Sequence, residues 1–319
     1  MSARMNARVR VYQVDAFTHQ PFTGNPAGVV LDADQLDAAQ MQAIAREMGN
    51  GDTAFILPAD GMDHDLRVRF FTPRAEVSFV GHATVAAHAV LHQLGVSPFR
   101  RQKQRGGIVT TERRDTPHGS IYSFTQPAPP VRSRIDPAAL GAMLAALGLV
   151  VEDLDERCPA AVAGEQSRRA LVAVREGAIL ARLKPDLPKL AELSASGAPP
   201  GYFVFTLRPE SSHYFSEARM FCPALGIPED PVSGNAHAML AVLLDSHGLL
   251  PGGAGDSKFT SSQGRWLDRP GELHITFRRG SGTAPGSTVS VGGGAAVVFA
   301  TSIELPGLPG LPGLPGLAA

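Results

Sequence analysis

The sequence predicts an α+β protein of two similar domains, and three observations predict it. Asp230-Pro231-Val232-Ser233-Gly234-Asn235-Ala236-His237 follows an apolar run with turn residues and precedes a helical segment, Ala236 to Leu244. Earlier, Val80-Gly81-His82-Ala83-Thr84 also follows a strand-like run and opens a helix, Val85 to Leu94. Aligned as GHATVAAHAVL and GNAHAMLAVLL, the two stretches put Gly81 opposite Gly234. Both helices carry few charges on any face, which fits helices buried inside a wrapped sheet. At each junction the unpaired N–H groups and the helix dipole favour an anion. Two anion-receptive helix ends facing one cleft are therefore expected.

The first domain takes its elements in order. Val9 to Phe17 alternates and reads as a strand; Pro21 to Pro26 turns, and Ala27 to Leu31 is a second short strand. Leu36, Met41, Ile44, Ala45 and Met48 share one face of a helix that Asp34 can cap and Gly49-Asn50-Gly51 stops. Strands follow at Asp52 to Leu57, Leu66 to Thr72, Ile108 to Thr111 and Ser120 to Thr125. The basic run Arg100 to Arg105 reads as a solvated loop. Four prolines between Gln126 and Pro137 mark the linker.

The second domain opens with a helix, Ala138 to Gly148, then a strand, Ala170 to Val174. A short helix (Leu187 to Leu193) and strands at Gly201 to Leu207 and Arg219 to Pro223 lead to the central turn. Phe259 to Gly264, Glu272 to Phe277 and Val289 to Ala300 complete the strands. The expected division is 1–128, 129–304 with a last strand that can cross back, and a tail, 305–319. That tail repeats Leu-Pro-Gly at the collagen period, but four repeats cannot sustain a triple helix, so it is expected to be extended.

Composition narrows the function. Charged residues make up 18% of the chain and the net charge is −1, so neither nucleic acid nor an acidic membrane is implied as a partner. Cys158 and Cys222 form no disulfide framework, the N-terminal MSARMNARVR has no apolar stretch after it, and no run is long enough to span a bilayer. A cytoplasmic protein without a signal peptide is expected.

Polar residues at the strand-to-helix junctions are the chemical candidates: His82, Asp230 and Asn235, with Asp52 after the Gly-rich stop. Taken singly, each reads as a turn, cap or structural residue. What raises His82 and Asn235 is their equivalent place in the two stretches, each beside a helix end suited to a carboxylate. His88 and His92 have zinc-ligand spacing on a helix, but no third ligand is evident. Gly24-Asn25-Pro26-Ala27-Gly28 lacks the spacing of a dinucleotide fingerprint, and no phosphate-binding or esterase motif is present.

Taken together, Val14 to Phe17 with Pro21 to Ala27, Phe71-Thr72-Pro73 with Glu76, Gly81 to Thr84, Ala224 to Gly234, and Gln263-Gly264 before Arg269-Pro270 resemble the phenazine-biosynthesis PhzF-like family. The resemblance implies the diaminopimelate-epimerase fold, two like domains each with a curved, mostly antiparallel sheet around a central helix. It also implies a homodimeric, cofactor-free isomerase or epimerase acting on a small carboxylate. Carried over by position, the family's catalytic glutamate falls on Asp52, its histidine on His82 and its aspartate on Asp230. Substrate-binding positions are Asn25, Gly81, Ala83, Gly234, Asn235 and Ala236, with asparagine at 235 where serine is usual. Relatives that racemise amino acids carry a cysteine before each helix-opening glycine. Val80 and Ser233 hold those places, which excludes two-thiol chemistry.

Three readings follow. The first is an isomerase in which a carboxylate base in the inter-domain cleft, Asp52, moves a proton. The second is epimerisation by carboxylates, and the third a non-catalytic binding protein that kept the fold.

Overall fold

Val9, Val11 and Val14 are buried in β1 (Arg8–Ala16), the first strand of the computed structural model, which describes residues 8–96, 100–165, 167–252, 255–280 and 286–304. The chain divides into two compact units. Unit 1 comprises the described residues to Phe22, Pro26–Phe124 and those from Gly294; unit 2 comprises Thr23–Asn25 and Thr125–Gly293.

β2 (Asn25–Leu31) leads to helix α1 (Ala38–Met48). Asp37, not Asp34, caps α1. The Asp37 carboxylate accepts from the Gln40 N–H at 2.9 Å, and the Gln40 side chain accepts from the Asp37 N–H at 2.7 Å. Gln40 completes a reciprocal box that Asp34, held in a 3-10 turn at Ala33–Gln35, has no partner for. Then come β3 (Asp52–Pro58), β4 (Leu66–Phe71), β5 (Glu76–Val77), α2 (Gly81–Gln93), β6 (Arg101–Gln104), β7 (Gly107–Thr116) and β8 (Gly119–Pro127). The basic run is thus a strand and not a loop. Its arginines and lysine face outward while Gln102 and Gln104 are buried, a period-two pattern that its charge density concealed.

Unit 2 runs β9 (Val131–Arg134), α3 (Pro137–Leu147), β10 (Ala161–Ala163), β11 (Arg169–Val174), α4 (Gly177–Ala181), α5 (Leu187–Ala195), β12 (Tyr202–Thr206), β13 (Ser216–Cys222), β14 (Ile227–Asp230), α6 (Gly234–Ser246), β15 (Ser257–Gln263), β16 (Gly271–Arg278) and β17 (Thr288–Gly293). β9 fits inside the proline-rich stretch because Val131–Arg134 contains no proline. The chain then returns to unit 1 with β18 (Ala295–Glu304), antiparallel to β1. The continuous strand expected over Val289 to Ala300 is broken at Gly294. The Gly294 carbonyl accepts from the Phe17 N–H at 2.8 Å, and a Cβ there would lie 2.5 Å from the His19 ring.

The two units repeat one pattern. In unit 1, β2 is parallel to β3, β3 antiparallel to β4, β4 parallel to β6, and β6 antiparallel to β7. In unit 2, β11, β12, β13, β15 and β16 follow the same sequence of pairings. A salt bridge recurs as well. Arg69 on β4 holds Glu76 on β5 with two bonds of 2.8 Å, and Arg219 on β13 holds Glu229 on β14 at 2.9 and 2.8 Å. Each guanidinium lies 5.1 Å from a phenylalanine ring two residues on, Phe71 or Phe221.

One face of the unit 1 sheet (Val14, Val29, Val68, Phe70) packs on Ala83, Ala86, Ala87 and Val90 of α2. The other face (Val11, Val30, Phe55, Phe71) packs on Met41, Ile44 and Ala45 of α1. In unit 2 the core under α3 and α5 gathers Met143, Leu147, Val172, Leu190, Tyr202 and Phe221. Among the described residues no helix is long and apolar enough to cross a membrane. The Leu-Pro-Gly tail, 305–319, lies outside the described residues.

Candidate active site

In unit 1, helix α2 begins at Gly81, four residues before the helical stretch expected from the sequence. Val80 occupies the N-cap and offers no side-chain acceptor, so the first turn presents the N–H groups of Gly81, His82 and Ala83 uncapped by it. Glycine at 81 allows close packing: a Cβ there would lie 2.7 Å from Cζ of Phe124, which would have to move aside. Asp52, the first residue of β3, is brought to this helix end. Its Oδ2 lies 3.6 Å from His82 Nε2, with the two side chains only 15% and 12% exposed. His82 Nε2 is buried and makes no hydrogen bond among the described residues. Burial pushes the imidazole down to about 4, so His82 is neutral at physiological pH. A carboxylate, a neutral imidazole and a helix N-terminus thus converge.

In unit 2, Ser233 caps α6, its hydroxyl accepting from the Ala236 N–H at 3.4 Å, and the helix opens at Gly234 and Asn235. Asp230 ends β14 just before it. Asn25 Nδ2 donates to Asp230 Oδ1 at 2.8 Å and to the Val232 carbonyl at 2.7 Å. Burial pushes the Asp230 carboxyl up from its ordinary value, against the Arg169 charge and the hydrogen bonds from Asn25 and Ser233. The nine candidate residues therefore fall into two groups, each described within its own unit: Asp52, Gly81, His82 and Ala83 in unit 1, and Asn25, Asp230, Gly234, Asn235 and Ala236 in unit 2.

Further residues, not singled out as site residues from the sequence, hold these turns. Gln263 accepts from the Ser233 N–H at 3.0 Å and donates to the Asp230 carbonyl at 2.6 Å, bracketing the turn into α6. Arg269 donates to the carbonyls of Gly24 (2.9 Å) and Thr23 (3.0 Å), and the Gly24 N–H bonds the Pro270 carbonyl, which places Asn25 at Asp230. Gly264 permits this return: its φ is +92°, and a Cβ would lie 2.2 Å from the Arg269 carbonyl oxygen. The only hint in the sequence was the late Gln263-Gly264, Arg269-Pro270 motif. His237 engages the Ser233 carbonyl and the Ser261 hydroxyl, each at 2.8 Å. Thr84 has the matching role in unit 1, donating to the Val80 carbonyl at 2.9 Å and accepting from Gln102 at 3.2 Å.

The other candidates are engaged elsewhere. His88 meets Gln102 at 3.0 Å, and His92 Nδ1 accepts from Arg113 at 2.7 Å. Among the described residues no group of three His, Cys, Asp or Glu could hold a metal. Cys158 and Cys222 are buried free thiols, each pushed up to about 12 chiefly by burial, so neither supplies a thiolate.

Two strand–glycine–helix units wired alike define a class of fold shared with solved proteins. A PhzF-family phenazine biosynthesis protein from Bacillus anthracis superposes with a TM-score of 0.83, covering 94% of this chain and 100% of that one at 24% identity. The chain belongs to the phenazine biosynthesis-like protein family, PhzC–PhzF, which matches residues 14–301. An uncharacterized isomerase of Escherichia coli O157:H7, YddE, is 38% identical over 293 residues, 91% of this chain and 96% of its own. The trans-2,3-dihydro-3-hydroxyanthranilate isomerase of Pseudomonas aeruginosa is 30% identical over 299 residues, 90% of this chain and 96% of its own.

Proposed function

We propose that the chain is a cofactor-independent isomerase that moves a proton within a small carboxylated metabolite, with Asp52 as general base. Family membership and the isomerase names of its relatives support the class of reaction. The observation that carries the mechanism is Asp52 beside a neutral His82 at the uncapped N-terminus of α2.

In this reading the Asp52 carboxylate takes a proton from a carbon next to a carbonyl or double bond. The freed electron pair delocalises as an enolate, whose charge the helix N–H groups meet. The same carboxyl returns the proton to another carbon on the same face. His82, being neutral, orients the bound substrate by a hydrogen bond without adding a cation that would pair with the base. The unit 2 junction contributes to substrate binding in this proposal, and Asp230, its carboxyl raised, orients the substrate or relays a proton. Freedom from cofactors, a homodimeric assembly and a cytoplasmic location are parts of the same proposal.

The test is proton NMR in heavy water with a panel of small unsaturated and cyclic carboxylates. Wild type is expected to lose one substrate C–H signal as the double bond shifts. Asp52→Asn is expected to exchange about 10²–10⁴-fold more slowly with the fold intact. Full exchange in that variant removes Asp52 from the mechanism. A second reading, epimerisation, draws on Asp230 as a second carboxyl; a product of inverted chirality with no shifted double bond would establish it instead.

A further inference from the structure

Arg169, the first residue of β11, is 9% exposed. Its Nη1 donates to the Arg168 carbonyl at 2.9 Å, while its Nε is buried and has no hydrogen-bond partner among the described residues. The other buried arginine of this unit, Arg219, is held by both oxygens of Glu229. No such carboxylate closes on Arg169 among the described residues. The nearest candidate is Asp230, which feels the Arg169 charge, yet its Oδ1 is engaged by Asn25 at 2.8 Å. The neighbouring strand makes room for the guanidinium. A Cβ at Gly201 would lie 2.5 Å from Arg169 Cδ, 2.7 Å from its Nε and 2.8 Å from Met220 Cε, so glycine at 201 lets the arginine cross β12 towards the Asp230 turn.

A buried guanidinium whose Nε has no hydrogen-bond partner is costly, and its planar fork matches a carboxylate with two parallel bonds. We infer that Arg169 receives the carboxylate of the substrate at the unit 2 junction and so selects anionic ligands. The inference rests on the proposed function and adds the residue that recognises the substrate's charge. The hydrogen-bond acceptor that Nε lacks is then supplied by the ligand itself.

The experiment compares wild type, Arg169→Lys and Arg169→Met by calorimetry and thermal melting. The probes are 3-hydroxyanthranilate and cyclohexenecarboxylate, each beside its carboxamide. Wild type is expected to prefer a carboxylate over its amide. Arg169→Met is expected to lose about 10- to 100-fold in carboxylate affinity and to bind the amides unchanged, as for a charge-assisted hydrogen bond. Arg169→Lys, which keeps the charge but not the fork, should fall between. Equal carboxylate binding by wild type and Arg169→Met, or no carboxylate preference in wild type, overturns the inference.

Failure of the proposed function reads out separately. Asp52→Asn exchanging protons at the full rate, with Arg169→Met still losing carboxylates, removes the base and keeps Arg169. Lost exchange with unchanged carboxylate binding does the reverse.

Discussion

Asp52 and Asp230 are both carboxyls at strand ends, yet their surroundings set them different tasks. Asp52 stands 3.6 Å from a neutral imidazole, and the resemblance puts it where the family carries glutamate, one methylene longer. Asp52→Glu keeps a carboxylate at that point and is expected to retain proton exchange where Asp52→Asn loses it. Burial raises the Asp230 carboxyl pKa, so ionising it costs the folded state stability. Such a group favours the folded state only while protonated, and that contribution is lost as pH rises through its folded value. Asp230→Asn, which can still accept the Asn25 bond, is therefore expected to melt higher than wild type at pH 7 while turning over more slowly. A lower melting point would show that the ionised carboxylate stabilises the fold.

At the scale of elements, the turns into the two helices depend on glycines for steric reasons that can be tested. Gly264→Ala meets both a positive φ and a backbone oxygen at 2.2 Å, so the return from β15 must shift. It is expected to cost more than about 2 kcal/mol in urea unfolding and to weaken substrate binding, because Arg269 and Asn25 depend on that turn. Gly81→Ala meets Phe124, a side chain that can move, and is expected to cost about 1–3 kcal/mol, partly recovered with Phe124→Leu. Equal stability of Gly264→Ala and wild type would refute the account of the turn. The helices of both junctions were legible in the sequence because their apolar runs are long. β6 was not, since four residues rich in charge give too short an alternation, and the α1 cap was displaced by three residues for want of the Gln40 partnership.

For the molecule as a whole, three buried imidazoles set the response to acid. His82, His88 and His237 are each pushed down to about 4 by burial, whereas an unfolded histidine titrates near 6.5. Between those values the unfolded chain binds more protons, so stability is full above about pH 6.5 and falls as pH drops towards 4. Asp230 and Glu217, both raised by burial, oppose this fall. With both carboxyls neutralised in Asp230→Asn/Glu217→Gln, the three imidazoles are expected to make the urea midpoint lower at pH 5 than at pH 7. A midpoint equal at both would contradict it.

By itself the sequence determined the fold class, the two like units and the junctions that carry the candidate residues, because hydrophobic period and glycine placement are local properties. Through the family resemblance it also argued against two-thiol chemistry, since Val80 and Ser233 stand where the racemising relatives carry cysteine. Only the tertiary structure decided what holds and charges those junctions. Gln263, Arg269 and His237 reach their partners Ser233, Gly24 and Ser261 across 30, 245 and 24 residues of chain, respectively. Arg169 acquires its meaning from the hydrogen-bond partner its buried Nε lacks among the described residues. Hydrogen bonds between distant segments, and the desolvation that shifts a buried acid or base, depend on which strands pair and which faces close, and no local pattern of residues encodes them.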